Sequence, residues 1–376
     1  MLTVIKGGTV IDPGNYTKPM TILIDGENIL GIIDPNQYHE DAGCVIFNDK
    51  KLHIDQWIDA TNKLVAPGLI DMHVHLREPG YEYKETIATG CRAAASGGFT
   101  AVCAMPNTKP VNDTSQVTEF IINKSIEAGF AYAYPIAAIS VGLQGQSMCE
   151  YAELKQAGAV ALSDDGKPVS SPQLMRRAME YAKILDMPII SHCEELTLSS
   201  GGVMNEGKVA TRLGLLGIPN VSESIMVIRD IALSELTGAP LHIAHVSTYE
   251  SVRAIREAKK NGIRVTAETA PHYFTLTEEA VGKYNTHAKM SPPLRTEKDR
   301  QAILEGLADG TIDVIATDHA PHATTEKNVE FDKAANGIIG LETALPLGLK
   351  LVRDGIFSIE MLIEKMSTNP AKILRL

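Results

Sequence analysis

Short apolar segments alternate with amphipathic segments through most of this 376-residue sequence, and this alternation restricts the fold more than any other feature. Each apolar segment is rich in β-branched residues and is followed by a stretch with the apolar spacing of a helix. Strand–helix units of roughly 30–40 residues, repeated eight times, are typical of a (β/α)8 barrel. The predicted strands are 69–75, 99–104, 132–137, 159–162, 188–191, 241–244, 263–266 and 313–316.

Residues 1–65 follow a different pattern, in which short β-branched runs are separated by turn signals such as Asp12-Pro13-Gly14-Asn15. We therefore predict a small β-sheet or β-sandwich domain over residues 1–65 and an α/β barrel over residues 66–376. An open doubly wound sheet is the alternative to the barrel, but no Gly-x-Gly-x-x-Gly motif follows a predicted strand.

Charge and composition exclude several classes of partner. The net charge is −11 and no run of Lys or Arg occurs, so we expect neither nucleic acid nor an anionic membrane as a partner. No apolar run reaches the ~18 residues of a membrane span, and the first residues lack the layout of a signal peptide. Five widely separated cysteines argue against a disulfide framework and predict a cytoplasmic location.

The first barrel strand carries His73 and His75, which share a face because strand side chains alternate. Two imidazoles on one face can bind a single metal ion, although a His-x-His pair taken alone is as readily explained by two unrelated histidines. Active sites of such barrels lie at the C-terminal ends of the strands. Further ligand-type residues at those ends, which together predict a metal site, are Asp164, Asp165, His192, His245 and Asp318.

The same alternation excludes several neighbours as ligands, because residues at odd spacing on a strand point to opposite faces. This argument removes His242, which we expect to be a structural residue under a helix, and also Cys193 and His319. His272, which follows the seventh strand, is ambiguous and is left out of the ligand set.

These motifs resemble those of the dihydroorotases, a family within the amidohydrolase superfamily, and most closely the bacterial class I enzymes. The strings that carry the resemblance are residues 67–80 (PGLIDMHVHLREPG), 104–108 (AMPNT) and 316–322 (ATDHAPH). The resemblance extends over essentially the whole chain. Allantoinases and hydantoinases share the metal motifs but usually bridge two metals with a carbamylated lysine, whereas class I dihydroorotases use the second Asp of an Asp-Asp-Gly string, here Asp165.

The resemblance implies a site with two zinc ions per chain and assigns a role to each motif residue. One zinc is implied to be held by His73, His75 and Asp318, the other by His192 and His245, with Asp165 as the bridge. Asp164 is implied to support the ligands from behind, and Asp318 to be the catalytic acid–base. The implied substrate contacts are Arg77, Asn107, Ser291, His322 and Gly337.

The implied reaction is the reversible cyclisation of N-carbamoyl-L-aspartate to L-dihydroorotate in de novo pyrimidine synthesis. Arg77 shares the strand face of His73 and His75, which favours bidentate binding of a carboxylate over a surface ion pair with Glu78. A related cyclic amidase, such as a hydantoinase, dihydropyrimidinase or allantoinase, is the alternative enzyme. An inert scaffold for aspartate transcarbamoylase is the alternative outside catalysis, and the resemblance also implies a homodimer or an association with that transcarbamoylase.

Three features depart from the family pattern. Ser291 stands where Asn is usual, and Ala334-Ala335-Asn336-Gly337 replaces the usual Ala-Pro-Phe-Gly. The sequence ends at Leu376, whereas family members normally continue with strands that return to the N-terminal sheet, so we expect part of that sheet to be uncovered. Finally, residues 324–328 are polar without a strand or helix period, which predicts that the loop 321–336 is a mobile lid over the barrel rim.

Overall fold

The computed structural model describes residues 1–376, which divide into two compact units. One unit comprises Met1–Pro67 together with Ser358–Glu364, and the other comprises Gly68–Phe357 together with Lys365–Leu376. None of the helices combines the length and the apolar character needed to cross a membrane.

The smaller unit is built mainly from short strands, as the turn-rich pattern of residues 1–65 predicts. In its largest sheet, Leu2–Lys6 pairs antiparallel with Thr21–Asp25 and parallel with Gln56–Asp59. A cluster of buried side chains around Val4 and Leu23 forms its core. Its other strands are Thr9–Asp12, Tyr16–Pro19, Asn28–Ile33, Glu40–Asp41, Cys44–Phe47, Lys50–His53 and Leu64–Val65, and its short helix is Ile359–Ile363.

The larger unit is a parallel eight-stranded barrel whose strands follow one another in chain order. A bridge between Val74 and His319 joins the end of the first strand to the segment after the last, which excludes the open doubly wound sheet. The predicted (β/α)8 barrel is therefore confirmed. Its strands are β1 (Leu69–Val74), β2 (Phe99–Ala104), β3 (Tyr132–Ala137), β4 (Ala161–Ser163), β5 (Ile189–Ser191), β6 (Leu241–Ile243), β7 (Val265–Thr269) and β8 (Val314–Ile315).

Helices between the strands begin and end where local sequence signals act. Thr248 caps one of them by accepting a hydrogen bond from the Ser251 N–H. Thr296 and Asp299 form a capping box on another. The α-helices of this unit are α1 (Ile87–Ser96), α2 (Ser115–Ala128), α3 (Tyr151–Gln156), α4 (Pro172–Ile184), α5 (Leu196–Ser199), α6 (Lys208–Leu213), α7 (Val221–Thr237), α8 (Tyr249–Lys260), α9 (Pro271–Thr275), α10 (Glu297–Ala308), α11 (Thr324–Lys327), α12 (Leu341–Arg353) and α13 (Asn369–Leu374).

Small and medium apolar side chains from successive strands meet in one buried cluster, as expected for the packed centre of such a barrel. Leu374, from the helix Asn369–Leu374, joins this cluster. The cluster is a buried apolar layer, and the polar residues at the strand ends lie beyond it. Its members are Met72, Cys103, Met105, Ile136, Ala161, Ile190, Ala244, Val314, Ala316 and Leu374.

Truncation of Ile136 to Ala should destabilise the barrel, because this side chain is wholly buried in the central cluster. We expect a loss of roughly 2–5 kcal/mol in the free energy of unfolding, as for other large-to-small core changes. Ile126→Ala is the matched control, since Ile126 is 62% exposed and its truncation should change stability by less than about 0.5 kcal/mol. Urea unfolding followed by circular dichroism measures both, and equal midpoints for the two variants would contradict the packing described here.

Candidate metal centre

Asp71 connects the end of β1 with the segment that follows β8. Its Oδ1 accepts hydrogen bonds from the backbone N–H of His73 at 3.1 Å and of Thr317 at 3.0 Å. Its carboxylate is fully buried, and this burial raises the pKa of Asp71 to about 6. The end of β1 is thus held against the segment that follows β8, and ligand-type side chains from both ends face one another.

Around Asp318 and Asp165 lies a first group of ligand-type atoms. His75 Nε2 lies 3.1 Å from Asp318 Oδ1, and His73 Nε2 lies 3.6 Å from the same oxygen. Asp165 approaches both rings, with Oδ1 at 3.4 Å from His73 Nε2 and Oδ2 at 3.4 Å from His75 Nε2. All four side chains are buried. The predicted set His73, His75, Asp165 and Asp318 is therefore brought together.

The second group shares Asp165 with the first. Oδ1 of Asp165 lies 3.6 Å from His192 Nδ1 and 3.5 Å from His245 Nε2. The two imidazole nitrogens lie only 2.7 Å apart. Because one carboxylate contacts both groups of histidines, Asp165 occupies the position that a bridging ligand requires.

The donor atoms fit a metal ion better than they fit one another. His73 Nε2 and Asp165 Oδ1 are both buried, yet neither has a hydrogen-bond partner. Unpaired buried polar atoms are costly unless a ligand satisfies them. Imidazole and carboxylate donors of this kind are those of zinc sites. The donor atoms of His73, His75 and Asp165 lie within 4.8 Å of one another, and so do those of Asp165, His192 and His245. The residues present could therefore hold a metal ion in either group.

Electrostatics in the site are dominated by coupling between these groups. Burial raises the pKa of Asp165, but His73, His192 and His245 outweigh it and hold the pKa well below its usual range. Burial lowers the pKa of His192, whereas Asp165 and Glu194 raise it to a net value of about 10. The site is thus arranged to keep carboxylates ionised around positive charge.

Glu268 is a site residue that the sequence reasoning missed. Its Oε1 lies 2.6 Å from His73 Nδ1, on the opposite side of the ring from the ligand-type Nε2. A carboxylate on the far nitrogen of a metal-binding histidine fixes the ring and its tautomer. The missing signal was strand length, because β7 continues to Thr269 and does not end at the predicted Thr266.

The prediction that His242 faces away under a helix is wrong. His242 Nε2 lies 3.2 Å from Glu268 Oε2, so it contacts the carboxylate that holds His73. Alternation failed because β6 ends at Ile243 and His245 lies beyond it with φ +32°, where the backbone no longer follows a strand.

Glu194 plays the corresponding part beside His192. Its Oε2 lies 3.1 Å from His192 Nε2, the nitrogen that points away from His245. Burial raises the pKa of Glu194, but the opposite effect of His192 is larger and brings the pKa to a net value of about 2. Glu194 follows β5 in the sequence and could have been found by asking which carboxylate reaches the free nitrogen of the predicted ligand.

The remaining residues considered from the sequence lie outside both ligand groups. Cys193 Sγ is directed to Ser191 Oγ at 3.5 Å, and His319 Nε2 to Glu85 Oε2 at 3.4 Å. Asp164 accepts hydrogen bonds from the backbone N–H of Ile139 and Ser140 and so fixes the loop beside Asp165. His272 is buried with an unpartnered Nε2, and burial lowers its pKa to about 4.

A cavity of about 290 Å³ opens onto the ligand groups, and every predicted substrate contact lines it. Asn107 Oδ1 accepts a hydrogen bond from His75 Nδ1 at 2.9 Å, and the Asn107 amide nitrogen donates to Asp165 Oδ2 at 3.5 Å. Arg77 is directed by a hydrogen bond from Nε to the Pro321 carbonyl. The predicted contacts brought together here are Arg77, Asn107, Ser291, His322 and Gly337.

His322 is held as a neutral ring on the wall of this cavity. Nε2 donates to the Asn336 carbonyl at 2.7 Å, and Nδ1 lies 3.4 Å from the Lys84 ammonium. Burial, followed by the positive charge of Arg77, lowers the pKa of His322 to about 4. A neutral imidazole leaves the positive charge of this wall on Arg77, because Lys84 is paired with Glu326 at 2.8 Å.

The expectation that residues 324–328 form neither helix nor strand is wrong. Residues Thr324–Lys327 form α11, and Phe331 packs into a buried cluster with Met290 and Tyr273. Whether this segment moves when a ligand binds stays a prediction.

Comparison with known proteins identifies relatives of this chain. A family model described as "Dihydro-orotase-like" matches residues 62–251. The dihydroorotase of Desulforapulum autotrophicum is 57% identical over 376 residues, which cover 100% of this chain and 86% of the relative. The dihydroorotase of Desulfotalea psychrophila is 61% identical over 374 residues, covering 100% and 85%.

Solved structures share the fold at lower sequence identity. The L-hydantoinase (dihydropyrimidinase) of Arthrobacter aurescens superposes with a TM-score of 0.84 at 24% identity, covering 99% of this chain and 82% of that one. The dihydropyrimidinase of Brevibacillus agri gives a TM-score of 0.78 at 24% identity, covering 100% and 82%. At this level of identity the likeness establishes the barrel fold and nothing finer.

Replacement of Glu268 by Gln should weaken metal retention, because the amide cannot hold His73 Nδ1–H as a carboxylate does. We expect affinity to fall by about 10–100-fold, the usual cost of losing such a partner. Elemental analysis after dialysis against graded chelator measures the effect. Asp165→Ala, which removes the carboxylate common to both groups, defines the full loss.

Glu278→Gln is the matched control for this measurement. Glu278 is also buried, but its carboxylate binds Asn205 at 2.7 Å and contacts none of the ligand-type histidines. Metal retention in Glu278→Gln should equal that of the wild type. If both Gln variants lose metal equally, the assignment of Glu268 to the metal centre is wrong.

Proposed function

The chain belongs to the dihydroorotase family of cyclic amide hydrolases, and from this premise we propose that its barrel binds zinc and interconverts N-carbamoyl-L-aspartate and L-dihydroorotate. The observation that carries the proposal is the placement of Arg77, Asn107 and His322 in the same cavity as the histidine–aspartate groups. Dihydroorotate combines a hydrolysable ring amide with a carboxylate, and this cavity offers a group for each.

In this proposal each of the two groups of ligand-type atoms would hold one zinc ion. One zinc ion would be held by His73, His75 and Asp318 and the other by His192 and His245, and Asp165 would serve both. When bound, zinc acts as a Lewis acid and brings the pKa of a water molecule to about 7. Glu268 and Glu194 orient His73 and His192 from behind.

Asp318 moves the proton. In the hydrolytic direction, water adds to the ring amide carbonyl, the bond from this carbon to the ring nitrogen breaks, and the nitrogen gains a proton. The Asp318 carboxylate lines the cavity, and its pKa lies below the usual value because His75 and His73 outweigh its burial. It is therefore ionised at neutral pH and can take the proton from water and pass it to the leaving nitrogen.

The substrate carboxylate that does not react is bound by Arg77 and Asn107. The Arg77 guanidinium can bind it in a bidentate fashion, and Asn107 can donate from its amide nitrogen. His322, held neutral, supplies shape and a hydrogen-bonding ring without competing for the charge of Arg77. Ser291 and Gly337 line the side where the rest of the ring lies.

Two alternatives are weaker. A hydantoinase or allantoinase would act on a ring without this carboxylate, which leaves the half-buried Arg77 guanidinium without an anionic partner. An inert scaffold for aspartate transcarbamoylase would not need the complete set of ligand-type residues seen here. A homodimer, an association with the transcarbamoylase and a cytoplasmic location stay predictions.

Purified zinc-loaded protein should turn over L-dihydroorotate and N-carbamoyl-L-aspartate and should act on hydantoin or allantoin far more slowly. Ultraviolet assays of all four compounds at matched concentrations test this expectation. Hydantoin turnover that rivals dihydroorotate turnover would overturn the substrate assignment. Protein that binds zinc but turns over none of the four would favour the scaffold.

Replacement of Asp318 by Asn should abolish proton transfer while the barrel stays folded. We expect kcat to fall by about 10²–10⁴-fold, the usual contribution of a general acid–base, with a further loss if zinc affinity falls. Asp332→Asn is the control, because Asp332 is an exposed carboxylate outside the cavity and its variant should keep full activity. Near-normal turnover by the Asp318 variant with zinc bound would contradict the role.

A further inference from the structure

Lys327 is a buried cation outside the groups that the proposed reaction uses. It is the last residue of α11, it is only 7% exposed, and its ammonium donates hydrogen bonds to three backbone carbonyls. These belong to Thr286 at 3.1 Å, Lys289 at 3.2 Å and Ala335 at 2.7 Å. The three protons of one ammonium thus connect three separate positions of the chain.

Two of these positions, Lys289 and Ala335, lie close in the sequence to residues that line the cavity. Lys289 is two residues before Ser291, and Ala335 immediately precedes Asn336 and Gly337, all of which line the cavity. The Gly337 N–H donates to the Lys289 carbonyl at 3.0 Å, so Gly337 and Lys327 share one acceptor. The segments carrying Ser291 and Gly337 are therefore held together at a single point.

The same arrangement reaches His322. The Asn336 carbonyl accepts from His322 Nε2 at 2.7 Å, one residue beyond the Ala335 carbonyl that Lys327 holds. A shift of the chain at Ala335 would move this acceptor and with it the imidazole. The wall of the cavity formed by Ser291, His322 and Gly337 thus depends on where the ammonium places the three carbonyls.

Burial explains why a lysine serves here. A carbonyl left without a donor in a dry site is costly, and one ammonium satisfies several carbonyls at once. Burial, followed by the charge of Lys289, lowers the pKa of Lys327 to about 8, which agrees with a site from which water is excluded.

We propose that Lys327 is a positioning residue that fixes the wall formed by Ser291, His322 and Gly337 and so determines how tightly substrate binds. It does not contact the reacting atoms. The inference rests on the proposed function, because substrate affinity is measured with L-dihydroorotate. A merely structural role would lower the amount of folded enzyme without changing KM.

Lys327→Met removes the ammonium and keeps a long apolar side chain. We expect KM for L-dihydroorotate to rise about 10-fold or more, the effect of losing one good binding contact, while kcat and zinc content change by less than about threefold. The matched control is Lys333→Met, which removes the same charge from an exposed position six residues further along the same segment. Its KM should equal that of the wild type.

Hydrogen exchange gives a readout that does not depend on activity. In Lys327→Met without ligand, peptides covering residues 286–291 and 335–337 should exchange faster than in the wild type, and the Lys333→Met peptides should not. Unchanged exchange would overturn the positioning role. Faster exchange with an unchanged KM would overturn its link to the substrate. If the wild type does not act on dihydroorotate, the proposed function fails, and the exchange result still decides whether Lys327 fixes the wall.

A second variant keeps the test decisive if Lys327→Met does not fold. Thr286 Oγ donates to the Lys327 carbonyl at 2.6 Å, so Thr286→Ala loosens the same junction while the ammonium stays. Its KM should rise by about 2–5-fold at constant kcat, the smaller effect of losing one neutral hydrogen bond. Equal KM values for Thr286→Ala and the wild type, with Lys327→Met unfolded, would count against the proposal.

Discussion

The site depends on the closure of the barrel between its first and last strands. The Val74–His319 bridge and the two hydrogen bonds that Asp71 accepts set the register of β1 against the chain after β8. This register brings His75 Nε2 to 3.1 Å from Asp318 Oδ1, although 243 residues separate them in the sequence. Any slip at the closure would move the two histidines away from the carboxylate that the chemistry requires, so the metal centre and the fold share one constraint.

Charge at the site is arranged in two layers. The inner layer contains Asp165 and Asp318 among four histidine rings, and the outer layer contains Glu268 and Glu194, which face the far nitrogens of two of those rings. An outer carboxylate fixes which imidazole nitrogen is free to face the centre. Buried carboxylates are tolerated only because positive charge lies against them, and a divalent cation at the centre supplies that charge without requiring protonated histidines.

How far the sequence predicts this molecule depends on how local each signal is. All eight strands and the ligand-type residues at their ends could be found from periodicity, because alternation and turn residues act within a few positions. Glu268 was missed and His242 was assigned the wrong orientation, because strand ends are set by pairing with neighbouring strands, which a local pattern does not contain. The four-residue helix α11 was missed because a single turn is too short to show a helical period, and because the hydrogen bonds of Lys327 to three carbonyls elsewhere in the chain help to stabilise it.

The departures from the family pattern do not weigh equally on the substrate pocket. Asn336 is exposed and contributes its backbone carbonyl to His322, so the identity of its side chain leaves that contact intact. Gly337, in contrast, has φ +139°, and a Cβ there would lie 2.6 Å from the Ala320 carbonyl oxygen and 3.1 Å from His322 Nε2. The chain therefore keeps glycine where the backbone approaches the imidazole. Ser291 and Asn336 both line the cavity, and differences in substrate contact from the usual Asn should arise at Ser291.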